Sequence, residues 1–161
     1  MTDGEIVQER LRALREYVRV LRDMALTTRD ELQSNYERRW AVLHGLQLTI
    51  ECVQDISAHL VAHERLGRPG NHTQAVDILV EGGLIGADLA RRIRGMPGFR
   101  NVPVREYLVV DLDRVIGFLG RLDDFEAFAR AITSFLETRS GIAPGAGREP
   151  DTGGPSKSQG L

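Results

Sequence analysis

The sequence predicts an all-α fold: an up-and-down bundle of four to five helices over residues 1–139, then a disordered tail over residues 140–161. Three observations predict it. Apolar residues recur at alternating steps of three and four along the longest runs, the period of a helix with one buried face. No run qualifies as a strand, because Val102–Val104 and Leu108–Val110 are too short and one of them holds a proline. From about Ser140 the composition turns to glycine, proline, serine and single charges, which cannot bury enough surface to offset the entropy of ordering.

Thr2 with Glu5 forms the pattern of a capping box, and Val7, Leu11, Leu14, Val18, Leu21 and Ala25 behind it make one apolar stripe. Thr28 with Glu31 repeats the capping pattern before a short helical turn, and the chain reverses at Ser34-Asn35. Asn35 is a suitable N-cap for a second long helix from Tyr36 to Leu66, with Leu43, Leu46, Ile50, Val53 and Leu60 as its core face. Along that face run Gln47, Glu51, Asp55 and His59 at steps of four. Two readings of this polar line stand: an i,i+4 ladder within the helix, or a flank that orients arginines arriving from elsewhere in the chain.

Gly67-Arg68-Pro69-Gly70 supplies a helix stop and turn. A short helix carrying Ala75, Ile78 and Leu79 ends at Gly82-Gly83, and Leu84–Met96 follows with Leu84, Leu89 and Ile93 facing inward. Arg91, Arg92 and Arg94 crowd the end of that segment. They either complement a helix C-terminus or steer phosphate. Asp111 caps a last long helix whose stripe is Leu112, Val115, Leu119, Leu122, Phe125, Ala129, Ile132 and Leu136. Phe118, Phe128 and Phe135 lie off the stripe and predict a second packing partner, such as another subunit.

Composition limits the function classes. A chain of 161 residues suffices for one domain with a core, and 42 % hydrophobic residues is ordinary for a globular protein. A formal charge of −2 argues against wholesale nucleic-acid binding but permits a local basic patch. Only Lys157 among the 21 basic residues is a lysine, so any phosphate site is built from guanidiniums. Cys52 stands alone in an apolar helical run, which excludes an internal disulfide and reads as a small buried hydrophobe. No apolar run approaches the length of a membrane span and no signal-peptide core is visible, so a soluble cytoplasmic protein is expected. His59 and His63 stand four apart, but zinc needs three or four convergent ligands and no third is evident. No metal and no cofactor is therefore predicted. P-loop, dinucleotide, G-x-S-x-G and CxxC patterns are all absent.

The densest chemistry lies in Gly98-Phe99-Arg100-Asn101-Val102-Pro103-Val104-Arg105-Glu106-Tyr107. Pro97 and Pro103 make this a broken helix or connector. Phe99, Arg100, Asn101 and Tyr107 resemble the signature of HepT-like toxins of the HEPN superfamily, in which F-R-N is followed by R-x4-6-H-x-Y. Leu46-Gln47-x-x-Ile50-Glu51-x-x-x-Asp55-Ile56-x-x-His59 is similar to the same family. One position departs: Arg105 stands where the family has histidine.

The resemblance implies a HEPN-like bundle and a metal-independent ribonuclease working as a dimer on RNA, tRNA or mRNA. It also implies the toxin of a type VII-like pair whose antitoxin, a minimal nucleotidyltransferase (MNT), adenylylates the motif tyrosine, which on this sequence is Tyr107. The implied catalytic set is Arg100, Asn101 and the residue at position 105, with Glu51 and Asp55 in support. Arginine suits the phosphorane charge through its fixed fork of donors. Histidine suits proton transfer near neutral pH, whereas a guanidinium with a pKa above ~12 does not. Arg105 therefore implies attenuated or absent turnover, through natural divergence or through a change that spares the host. Two other functions remain open on the residues: a non-enzymatic adaptor that binds a nucleotidyltransferase, and a small-ligand or nucleotide-binding helical domain.

Overall fold

The computed structural model describes residues 2–96 and 111–139. Within them the chain forms α1 (Asp3–Asp23), α2 (Arg29–Ser34), α3 (Tyr36–His63), α4 (His72–Glu81), α5 (Ala87–Arg94), α6 (Leu112–Leu119) and α7 (Leu122–Arg139), with no strand among the described residues. The expected tail over 140–161 lies outside the described residues.

Both predicted capping boxes are present. The Thr2 hydroxyl accepts from the Glu5 backbone N–H while Glu5 accepts from that of Thr2, and Thr28 and Glu31 do the same for α2. Asn35 caps α3 by accepting from the Arg38 backbone N–H at 3.0 Å. Each cap satisfies donors a helix end would otherwise leave unpaired. The α1 stripe from Val7 to Leu21 is buried, but Ala25 is exposed, because the helix has ended at Asp23.

α1 and α3 run antiparallel. Asp3 lies 3.6 Å from His63, Arg10 lies 3.6 Å from Asp55, and Gly45 sits where an added Cβ would come within 2.9 Å of Leu21. The glycine thus permits close approach at this end of the helix pair. α7 also runs antiparallel to α1, through Arg15 to Thr133 and Arg22 to Asp123 and Glu126. At the far end of α7, Arg139 meets Glu64 at 2.6 Å, so the C-termini of α3 and α7 share one end of the bundle. Leu11, Leu14, Leu21, Val53, Ile56, Leu60, Phe125, Phe128 and Ile132 fill the space between these three helices. On α3, Val42, Leu46, Val53, Ile56 and Leu60 are buried, whereas Leu43 and Ile50 lie half-buried at the edge. Buried Thr49 and Ser57 donate to the carbonyls four residues back, Gly45 and Val53, which satisfies both hydroxyls locally.

Three helix ends differ from expectation. α3 stops at His63, before the Gly67–Gly70 turn, because Arg65 adopts a left-handed conformation with φ 54°. Leu66 N–H then donates to Val61 O and Arg65 N–H to Ala62 O, the bonding of a Schellman stop. α4 closes the same way at Gly83, φ 77°, as the double glycine predicts. The segment after it is helical only from Ala87, with Gly86 as N-cap, so Leu84 and Ile85 enter the core from a turn. The last predicted helix is two, α6 and α7, broken at Gly120-Arg121. Gly117 and Gly120 weaken the helix there, and Arg121 reaches instead to the Arg92 carbonyl at 2.9 Å. Phe128, expected off the buried stripe, is fully buried within this chain, and Phe118 and Phe135 are half-buried against the core.

Candidate functional site

All four motif residues singled out for chemistry or modification, Arg100, Asn101, Arg105 and Tyr107, lie outside the described residues, as do Phe99, Pro97 and Pro103. What the structure gives is the frame on either side of them. Met96 is fully buried at the end of α5, and Asp111 caps α6 by accepting from the Asp113 and Arg114 backbone N–H groups at 3.1 and 3.3 Å.

That frame is held by ion pairs. Arg94 pairs with Asp77 of α4, and Arg91 and Arg92 pair with Asp88 one turn earlier on α5. Arg92 also donates to Asp124 of α7 at 2.9 Å, and Arg121 lies 3.4 Å from the other oxygen of the same carboxylate. Asp124 and Asp88 raise the Arg92 guanidinium above its ordinary value, chiefly through the Asp124 hydrogen bond. All three arginines at the end of α5 are therefore engaged with carboxylates. On the other side, Arg29 of α2 lies 3.0 Å from Asp113 of α6. Asp88 is legible in sequence from its i+3 and i+4 arginines. Asp77 carries no local signal, because its partner is 17 residues away, and at Asp124 only Arg121, three residues before it, is a local one, while Arg92 is 32 residues away.

The polar line of α3 divides. Gln47 donates to Glu51 at 3.1 Å, the i,i+4 ladder predicted as one alternative. Asp55 faces Arg10, and His59 lies 3.9 Å from Asp3, so these two turn toward α1. His63 lies beside the same Asp3, and among the described residues no group of three or more potential ligands converges on a metal position. Cys52 is buried, and burial pushes its thiol above the ordinary value, with Arg10 drawing it partly back. An open groove at the opposite end of the bundle from Asp124 is lined by Gln8, Arg12, His63, Glu64 and Arg139. No described helix is long and apolar enough to cross a membrane.

Known proteins place this frame in a family. A profile described as ribonuclease HepT-like matches residues 5–132, a span that contains the whole motif. The mRNA nuclease HepT of Shewanella oneidensis is 28 % identical over 103 residues, covering 63 % of this chain and 77 % of the relative. The tRNA nuclease HepT of Aphanizomenon flos-aquae is 25 % identical over 134 residues, covering 83 % and 91 %. Among solved structures, the tri-AMPylated Shewanella oneidensis HEPN toxin in complex with its MNT antitoxin superposes with a TM-score of 0.71 at 24 % identity, over 83 % of this chain and 99 % of that one. The cytosolic Bacillus subtilis protein YutE, of unknown function, gives 0.73 at 20 % identity over 87 % and 94 %. The helical frame thus shares the fold of these solved structures, and the matched span shows that the chain belongs to the HepT-like ribonuclease family.

Proposed function

We propose that this protein is the toxin half of a type VII-like toxin–antitoxin pair, a homodimeric cytoplasmic ribonuclease attenuated at its own motif. The observation that carries the reading is Phe99-Arg100-Asn101 with Tyr107 inside a family match that spans residues 5–132. Support for the substrate comes from relatives that are mRNA and tRNA nucleases. Support for the partner comes from the similar AMPylated toxin held by its MNT antitoxin. In this reading Arg100 stabilises the phosphorane, Asn101 orients the substrate, and Glu51 and Asp55 support them from α3. No metal takes part. Arg105 contributes charge but cannot move a proton at neutral pH. Loss of positioned proton transfer removes about 10²–10⁴-fold in rate. Tyr107 is the acceptor of AMP, and an MNT-type nucleotidyltransferase is the donor enzyme.

The test is Arg105→His. Restoring an imidazole should raise cleavage of total RNA, in the presence of a chelator, by about the same 10²–10⁴-fold. Equal activity in the two proteins would remove position 105 from the catalytic set. Arg105 is also the observation that favours a second reading, an inert adaptor that only binds the nucleotidyltransferase. That reading requires the histidine variant to stay inactive while partner binding persists.

A further inference from the structure

Tyr36 and Trp40, one turn apart at the start of α3, are 63 % and 64 % exposed. They form a pair, with ring centroids 6.0 Å apart and planes inclined by 60°. The Arg39 guanidinium lies 4.3 Å over the Tyr36 ring centroid. Arg39 has no carboxylate partner among the described residues, so an uncompensated positive charge rests on an aromatic face. The core-facing line of α3 runs through Val42, Leu46 and Val53, and neither ring belongs to it.

We propose that Tyr36, Arg39 and Trp40 form a stacking platform for unpaired bases of the RNA substrate, beside the motif rather than within it. The inference rests on the ribonuclease of the proposed function and adds where a single-stranded part of the substrate is held.

The chemistry of the three side chains fits a single strand. Every base has a π-face, and exposed aromatics with a nearby cation hold single strands with little sequence preference. A guanidinium plane stacks on bases as a ring does, and its donors also suit phosphate oxygens. Position favours the substrate of this same protein. α3 begins directly after α2, and Arg29 of α2 lies 3.0 Å from Asp113 in the first turn of α6. Asp111, two residues earlier, is where the chain emerges from the motif segment. Arg114, exposed beside it, also has no carboxylate partner among the described residues. The platform and the motif's exit thus share one end of the bundle. A protein partner fits less well, because a stable interface needs a broad apolar centre. The exposed positions next on this face, Ala41, His44 and Gln47, add little apolar surface, whereas a base needs only a single ring face. Glu37, adjacent to Tyr36 and without a cationic partner among the described residues, is the charge that opposes RNA here.

Trp40 is the only tryptophan, so its emission reports contact at the platform. The full parent chain is titrated with a single-stranded RNA of about 12 nucleotides and with the same RNA annealed to its complement. The single strand should quench the emission and bind at least about tenfold more tightly than the duplex, whose bases are already stacked. Tyr36→Ala and Arg39→Ala should each weaken binding about tenfold, and Glu37→Lys should tighten it and steepen its salt dependence. On the Arg105→His chain, Trp40→Ala should raise the apparent KM for total RNA about tenfold, with the loss falling on KM rather than kcat. An Arg105→His chain that cleaves RNA with the same KM with or without Trp40 overturns the platform and leaves the ribonuclease standing. A chain that neither binds nor cleaves RNA overturns both. Emission that responds to an MNT-type nucleotidyltransferase but not to RNA assigns this surface to a protein partner and overturns the platform as well.

Discussion

Arg92 of α5 donates to Asp124 of α7 at 2.9 Å, and Arg121 closes on the same carboxylate at 3.4 Å. The motif segment lies between those two partners in sequence, so this contact fixes α5, the helix it leaves, against α7, the second helix after it. Asp124 is only 14 % exposed, and Arg121 also donates to the Arg92 carbonyl. Its removal leaves Arg121 without an acid among the described residues and Arg92 with Asp88 alone.

Asp124→Ala should therefore lower the thermal midpoint by about 3–6 °C, the effect of losing a partly buried charged hydrogen-bond pair in a domain of this size. Asp123, 84 % exposed beside Arg22, serves as the control, since exposed ion pairs contribute little. A midpoint for Asp124→Ala as close to the parent as that of Asp123→Ala would remove the clamp from the account.

Arg65 and Gly83 occupy the same position of the same helix stop, at φ 54° and 77°. Left-handed backbone costs a side chain roughly 1–2 kcal/mol, part of which glycine loses again through its greater freedom when unfolded. Arg65→Gly should stabilise the protein by about 0.5–1 kcal/mol, since Arg65 is exposed and has no ion pair among the described residues. Gly83→Ala should destabilise it by about 1 kcal/mol through backbone alone, because an added Cβ there meets nothing within 4 Å. Urea unfolding of the two variants decides it, and shifts of the same sign in both would contradict the shared geometry.

Much of this fold is readable in the chain because its signals are local. Two capping boxes, an asparagine cap, a double-glycine stop and the α1 stripe each depend on residues within four positions of one another. What misled depended on distance. The break between α6 and α7 reflects a side chain reaching back 29 residues to Arg92 O, and no periodicity reveals that. The stop at Arg65 escaped notice because arginine is seldom left-handed, and Gly67 nearby looked the better candidate. Of the candidate site, the motif itself is read from sequence alone. Its frame, Asp77, Asp113 and Asp124 with their arginines, comes only from the folded chain.

Cys52 tests burial directly. Its thiol is 4 % exposed, and burial, aided by Asp55 and Glu51, pushes it upward against Arg10. The raised value keeps the thiol protonated through neutral and mildly alkaline pH, so little thiolate forms as pH rises toward the ordinary cysteine range. Iodoacetamide at pH 8 should label the native protein at least about a hundredfold more slowly than the urea-unfolded chain. Comparable rates in the two states would show that α3 opens readily around Cys52.

Tyr107 gives the sharpest test of the proposed partner. With an MNT-type nucleotidyltransferase, ATP and magnesium, the chain should gain AMP, and intact mass should show it. An adenylate on the motif tyrosine sets a phosphate anion two residues from Arg105 in sequence and seven from Arg100, where guanidiniums can hold it in place of an RNA phosphate. Two other phenols compete. Tyr17 is half-buried against the core, whereas Tyr36 is 63 % exposed and carries Arg39 over its ring, which makes it the more accessible alternative. Tyr107→Phe should abolish labelling and leave the thermal midpoint nearly unchanged, while Tyr36→Phe should label like the parent. If AMP still appears on the Tyr107→Phe chain and disappears with Tyr36→Phe, the acceptor lies on α3 and the assignment of the modification to the motif is wrong.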